Sequence, residues 1–434
     1  MQFGLFYEHQ SPAPFSAEGD CRIFQNALDE LELADSLGFD YAWLVEHHFL
    51  EEYSHSSAPE VFLGALSQRT KRIRLGHGIN VMPPQINHPA RVAERIATLD
   101  LLSNGRVEWG TGESGTAMEL EGFGVDVDTK KDAWREATEQ CANMLTMNPY
   151  PGYQGEFFSM PTRNIVPKPL QAPHPPLWVA CSRRETILHA ARNGMGALVF
   201  GFAAPEQAGK WVKEYYDIIR SDECVPIGHA INPNFAIVTA LSVNEDEQVA
   251  IDRGTKGFKY FGYSLGFYAA FGKNKPGYSK LWEDFKKAEA SIEDNHGNGG
   301  IGTPDQVYEH CKAYADVGVD QIIFVQQTGP AVHEHICESL NLFGKSVMPR
   351  LKEGEAERLA KKEAELAPYV AAALARKPRM PEMKEEDVEI VRSFGLRKKE
   401  AGDFINTRSD RGGGVAVVAE DPMAPVANNP AEKV

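Results

Sequence analysis

The sequence predicts an α/β fold, a single (β/α)8 TIM barrel with loop insertions and a C-terminal helical and mobile extension. Short β-branched or aromatic runs alternate strictly with helical patterns from the first residue to about residue 350, and alternation of that kind argues for a parallel sheet. Eight such runs occur, the number that closes a barrel, and 434 residues suffice for one large barrel with extras. A doubly wound open sheet is the alternative that the same alternation allows.

The first strand is Phe3–Tyr7, beginning almost at the first residue, with no basic region leading into a longer apolar core as a secretion signal has. A helix follows over Ile23–Leu37, where Phe24, Leu28, Leu31 and Leu37 lie near helical spacing and Gly38 is a C-terminal stop. Tyr41–Val45 is the second strand. Pro59 opens a helix to about Arg69, and Ile73–Ile79 is the third strand. His88-Pro89 starts another helix that ends near Ser103-Asn104-Gly105, before a fourth strand at Val107–Gly110. The later strands are Leu177–Ala180, Ala197–Phe200, Phe235–Leu241 and Gln321–Val325.

Two stretches interrupt this rhythm. Residues 148–176 are rich in Pro, Gly and aromatics and predict a long ordered loop. Residues 245–300 crowd Phe258, Tyr260, Phe261, Tyr263, Phe267, Tyr268 and Phe271 together, which suits core or a dimer contact, or the wall and cover of an apolar pocket. These insertions belong to a barrel domain of residues 1–350. Residues 351–434 form the extension, with a charged, Ala-rich surface helix at Glu355–Lys377 and a mobile tail beyond about Gly402.

A net charge of -16 argues against nucleic acid as the main ligand, and no apolar run is long enough for a bilayer. Six cysteines without C-x-x-C pairing suit scattered thiols of a cytoplasmic enzyme better than a disulfide or four-thiolate zinc framework.

The strongest chemical signal is Glu46-His47-His48, at the end of the second strand, because the C-terminal strand ends of a barrel form its catalytic face. Histidine titrates near neutrality, so His47 and His48 are the candidate catalytic residues for proton transfer. No metal is expected there, since adjacent side chains on extended backbone point opposite ways and H-E-x-x-H spacing is missing. His333-Glu334-His335 reads as a solvated helix start.

Gly110–Gly115 spells G-x-G-x-x-G after a strand, but Gly122 and Gly124 interrupt what should be a well-formed helix, so a Rossmann site is not predicted. Close approach of backbone to a flat ligand is the preferred reading of these glycines. Ala180-Cys181-Ser182-Arg183, with Arg184, ends a strand and begins a helix, which makes either an anion site or a plain cap with Ser182 bonding the helix backbone.

In order and spacing, these elements resemble the luciferase-like flavin-dependent monooxygenase family. The shared pieces are M-x-F-G-x-F, L-G-F-D, E-H-H, H-P-x-R-x-A-E at His88–Glu94, G-R-V-E-W-G at Gly105–Gly110, F-G-V-D, I-G-T-P-D and V-M-P. The resemblance implies that His47 assists proton traffic at the flavin. It places Gly78-Ile79 where relatives carry a non-proline cis peptide, with Asn80 facing the same pocket. It puts Gly112, Glu113 and Ser114 along the flavin and Lys131 near a basic phosphate-binding position. Ser182 with the Arg183 N–H, and that of Arg184, would hold the phosphate of FMN. Where bacterial luciferase carries a reactive thiol, a basic residue and a glutamate, this chain has Gly112, Glu113 and Cys181. Light emission is therefore not predicted.

The expected activity is a two-component monooxygenase that receives reduced FMN from a flavin reductase and oxygenates an aldehyde, ketone or similar small molecule. The family habit implies a homodimer or higher homo-oligomer. Two alternatives stay open: a deazaflavin-dependent hydride-transfer enzyme, and a flavin-binding protein without turnover.

Overall fold

A computed structural model describes residues 1–292, 299–394 and 396–397. The expected tail beyond Gly402 lies outside the described residues. Eight parallel strands close into a barrel: β1 Gln2–Tyr7, β2 Tyr41–Leu44, β3 Arg74–His77, β4 Val107–Gly112, β5 Leu177–Cys181, β6 Gly196–Val199, β7 Phe235–Ala240 and β8 Gln321–Gln326. Each pairs with the next, and β8 returns to β1 with Gln2 opposite Gln321. All eight sequence runs correspond to these strands.

The strands are buried on both faces, which explains their near-continuous apolar runs. Phe3, Leu5 and Tyr7 point outward to the helices, while Phe6, Trp43, Trp178, Val238, Ile323 and Val325 fill the inside. Trp43 and Trp178 meet edge to face in the interior, 5.3 Å between rings. Glycine makes the room, since a Cβ at Gly76 would collide with the Trp43 ring and one at Gly196 with Trp178. The indole N–H of Trp178 donates to Glu108 at 2.6 Å, and Glu108 pairs with Arg74.

The helix predicted from Ile23 begins six residues earlier, at Ala17–Leu37, because Ser16 caps it by accepting from the Gly19 N–H. Pro59–Arg69 and Pro89–Leu102 are helices as predicted. Residues 148–176 contain a small antiparallel pair, Tyr153–Gln154 with Ser159–Met160. The helix Glu355–Arg376 is not wholly surface, because Leu366 and Ala373 on it are buried. Its Lys362 and Arg358 bond Asp320, which also takes the Phe235 N–H at the start of β7. Met1–Met383 form one compact unit. No helix among the described residues is long and apolar enough to cross a membrane.

After β7 the helix Glu247–Gly266 buries Phe258, Tyr260 and Phe261. Tyr263, Phe267 and Tyr268 are partly covered, and Phe271 is exposed. Glu52, fully buried, fastens this insertion to the segment after β2. Its carboxylate accepts from Ser279 Oγ at 2.7 Å and from the backbone N–H groups of Leu281, Trp282 and Ala13 at 2.6, 3.0 and 3.0 Å. Glu52→Ala strands these donors and is expected to destabilise the fold by roughly 2–4 kcal/mol in urea denaturation. Limited proteolysis should then cut first near residues 272–292, and an unchanged cleavage pattern would contradict this fastening.

Candidate active site

The C-terminal ends of β2 to β5 lie side by side, so their following segments form one rim. Tyr41 to Leu44 pairs with Arg74 to His77, Thr111 pairs with both Asn80 and Val179, and Gly112 pairs with Val81. The structure thereby brings together Glu46–His48, Gly78–Asn80, Gly112–Ser114 and Ala180–Arg183.

Around His47 the groups are acidic. Its Nδ1 lies 3.0 Å from Glu119 Oε1, and its Nε2 lies 3.8 Å from Glu8 Oε2. Glu119 also receives the Ser114 and Thr116 hydroxyls at 2.7 and 2.8 Å and the His48 N–H at 2.9 Å. Burial opposes charge on His47, but Glu119, Glu8 and Glu46 outweigh it and raise its pKa to about 9. Burial likewise pushes Glu119 up, yet His47 and the hydrogen bonds bring it down to about 2. At neutral pH the pair is an imidazolium and a carboxylate.

His48 faces the other way, as adjacent residues on extended backbone should. Its Nε2 lies 3.1 Å from Glu46 Oε1, and its ring meets Phe123 edge-on. Glu46 holds the next strand end as well, accepting from the Val81 N–H at 2.9 Å and Asn87 Nδ2 at 2.6 Å. Asn80 sits against it at 3.4 Å through Nδ2, while its buried Oδ1 has no partner.

Glu8 is 2% exposed and sits directly after β1. Tyr53 donates to its Oε1 at 2.8 Å, its Oε2 has no hydrogen bond, and burial pushes its carboxyl above the usual range. Sequence reading missed both Glu8 and Glu119. The position rule that found His47 applies equally to Glu8, the residue just beyond the first strand. Thr116-x-x-Glu119 is a capping-box pattern, and it opens the short helix Ala117–Gly122 that the glycines concealed.

Several expectations need correction. The four cis peptide bonds of the described residues all precede proline, so Gly78–Ile79 is trans. The Gly78 N–H donates to Leu44 O at 2.6 Å. On the side where a Cβ would stand, Gly110 and Gly112 are closely approached by this chain, at the His77 carbonyl and the Ile79 side chain. The neighbouring Lys130 holds the 113–114 loop, donating to Ser114 O at 2.6 Å and lying 3.7 Å from Glu113. The charge of Lys131 acts on His189, whose pKa burial and neighbouring cations lower to about 4. His333 is anchored, its Nδ1 2.8 Å from the buried carboxylate of Glu30.

At β5, Cys181 is buried and its thiol is pushed up to about 12. The plain-cap reading of Ser182 fails: Arg183 occupies the cap, where Thr186 Oγ1 accepts its N–H at 3.2 Å. Ser182 is exposed, and its hydroxyl has no hydrogen bond to another described residue. Arg184 pairs with Glu214 at 2.7 Å. The Thr186 N–H bonds Arg183 O at 3.1 Å, which leaves the Arg184 and Glu185 N–H groups at the helix start without an intrahelical acceptor, beside the Ser182 hydroxyl.

Because the folded pKa of His47 is raised, its ion pair stabilises the fold fully below pH ~6.5, and this contribution fades as pH rises through about 9. Glu119→Gln is expected to bring the His47 titration, followed by NMR, below pH 8. Titration unchanged near 9 would refute control by Glu119.

Residues 1–321 match the model of the luciferase-like monooxygenase family. An uncharacterized protein, y4wF of Sinorhizobium fredii, is 34% identical over 235 residues, 54% of this chain but only 65% of that relative. The oxygenase component of flavin-dependent trigonelline monooxygenase from Acinetobacter baylyi is 26% identical, over 82% of this chain and 98% of its own. Among solved structures, monooxygenase RslO1 from Streptomyces bottropensis superposes with TM-score 0.66 at 26% identity, covering 81% of this chain and all of that one. The coenzyme F420 dependent tetrahydromethanopterin reductase of Methanopyrus kandleri shares the fold at TM-score 0.59 and 22% identity, over 80% of this chain and 99% of its own. With its eight-stranded barrel and its Glu-His-His rim, this chain belongs to the luciferase-like monooxygenase family.

Proposed function

We propose that the protein is the oxygenase half of a two-component flavin monooxygenase. A separate flavin reductase supplies reduced FMN, and a small organic substrate such as an aldehyde or ketone is oxygenated. The observation that carries this reading is a charged His47, held by Glu119, on the same rim of strand ends as the unspent donors at Ser182. The name of the Acinetobacter relative, an oxygenase component, supports a partner reductase. Cytoplasmic location and a homo-oligomeric state belong to the same proposal.

The residues present fit FMN. Its phosphate needs donors, which the Ser182 hydroxyl, the helix N-terminus and Arg183 offer. Its ring needs flat backbone and a polar edge, which Gly78–Asn80 and Gly112–Ser114 offer, with the unpartnered Asn80 Oδ1 among them. When bound, reduced FMN would supply the electrons that activate dioxygen. The chain's own part is to bind, to keep water out and to move a proton. His47 carries a proton at Nε2 that it can give to a substrate oxygen, and Glu119 fixes the ring and its charge. Tyr53 packs beside His47, with Phe261 and Tyr268 against Tyr53, and these rings would limit water on that side.

The test is anaerobic mixing of the full chain with reduced FMN, then rapid admission of oxygen while flavin absorbance is followed. Protein-dependent delay of flavin reoxidation is expected. His47→Ala should leave FMN binding within about threefold and slow substrate oxygenation by roughly 10²–10⁴-fold. Ser182→Ala should weaken FMN binding by about 10-fold, through loss of one hydrogen bond to a charged group. Tight binding of a deazaflavin without response to reduced FMN would assign hydride transfer instead, and binding of neither would refute a flavin enzyme. Flavin binding with turnover unaffected in His47→Ala would remove His47 from the chemistry.

A further inference from the structure

We propose that the barrel rim beside His47 holds an aromatic substrate by a ring hydroxyl, whose oxygen lies between His47 Nε2 and Glu8 Oε2. This rests on the reading of that rim as the substrate side of a flavin enzyme. Glu8 is buried to 2% exposure, and Tyr53 engages one of its oxygens at 2.8 Å. The other oxygen has no hydrogen bond among the described residues. A buried acceptor left unpaired is costly, so its persistence calls for a ligand or a function.

His47 Nε2 is 3.8 Å from that oxygen, too far for a direct hydrogen bond. An oxygen about 2.8 Å from each would bond both at once. His47 Nδ1 is already engaged by Glu119, so Nε2 is the nitrogen available to a ligand. The rings nearby set the rest of the shape. Tyr53 lies 5.5 Å from the His47 ring, with Phe261 and Tyr268 at 5.8 and 6.3 Å from Tyr53. Such walls favour a flat apolar body with one polar tip.

Charge narrows the class of that tip. A carboxylate would face Glu8 and, behind His47, Glu119. A cationic nitrogen would face the imidazolium. An ether or carbonyl oxygen only accepts, so it satisfies both groups only when both carry protons. A hydroxyl donates to one and accepts from the other wherever the proton lies. Sites that pair buried polar groups with a substrate hydroxyl reject analogues that lack it far more strongly than apolar pockets reject a methylene.

The experiment uses the full chain and three fluorescent or absorbing probes of one ring system: 2-naphthol, 2-methoxynaphthalene and 2-naphthaldehyde. Dissociation constants are measured by probe fluorescence or calorimetry, with oxidised FMN binding titrated in parallel. The expected result is saturable 2-naphthol binding about 10-fold or more tighter than that of either analogue. Glu8→Met, checked for folding by circular dichroism, should bring the three within about threefold while FMN binding is unchanged. Equal binding of naphthol and methoxynaphthalene, or preference for the aldehyde, overturns the proposal whatever FMN does. No probe binding in a chain that binds FMN overturns it too and leaves the flavin reading intact. Selective naphthol binding in a chain that fails to bind FMN upholds the hydroxyl site and removes the flavin reading.

Discussion

A closed eight-stranded barrel must fill its own interior, and here two indoles cross inside it. Trp43 on β2 and Trp178 on β5 meet at 5.3 Å, and Gly76 and Gly196 on the neighbouring strands leave the space they occupy. Any larger residue at these glycines would push an indole out of place, and the strand ends would move with it. Both tryptophans lie on strands whose ends carry the site, Trp43 four residues before His47 and Trp178 four before Ser182. Packing in the middle of the barrel therefore fixes the rim above it.

On that rim the chain spends carboxylates freely. Glu46 gathers His48, Val81 and Asn87, and Glu119 gathers His47, His48, Ser114 and Thr116. Glu52 gathers the aromatic insertion. Each buried carboxylate is stabilised by several donors at once, which burial of a charge requires. Glu8 departs from this rule, with one oxygen satisfied and the other facing His47. That departure is why the hydroxyl site is placed there.

The fold was legible because its signals are local. Strands such as Phe235–Ala240 and Gln321–Gln326 are buried on both faces and read as apolar runs, while Pro59 and His88-Pro89 announce their helices. Half of the candidate site was legible for the same reason, since Ser182 directly follows a strand and His47 lies three residues beyond one. Glu119 was not, because it lies in a six-residue helix interrupted by glycines and acts on a residue 72 positions away. The hold of Lys130 on the 113–114 loop was not legible either, because a basic pair in the sequence does not say which side chain turns toward a loop 16 residues away.

By itself, then, the sequence determined the barrel, the order of its strands and the rim on which chemistry could occur, since periodicity and strand-end position are properties of neighbouring residues. Tertiary structure alone decided which groups charge one another. It brought Glu119 to His47, left Ser182 free by capping the helix with Arg183, and left one oxygen of Glu8 unpaired. Those outcomes depend on distances between residues far apart in the chain, and electrostatic and hydrogen-bond energies are decided by such distances.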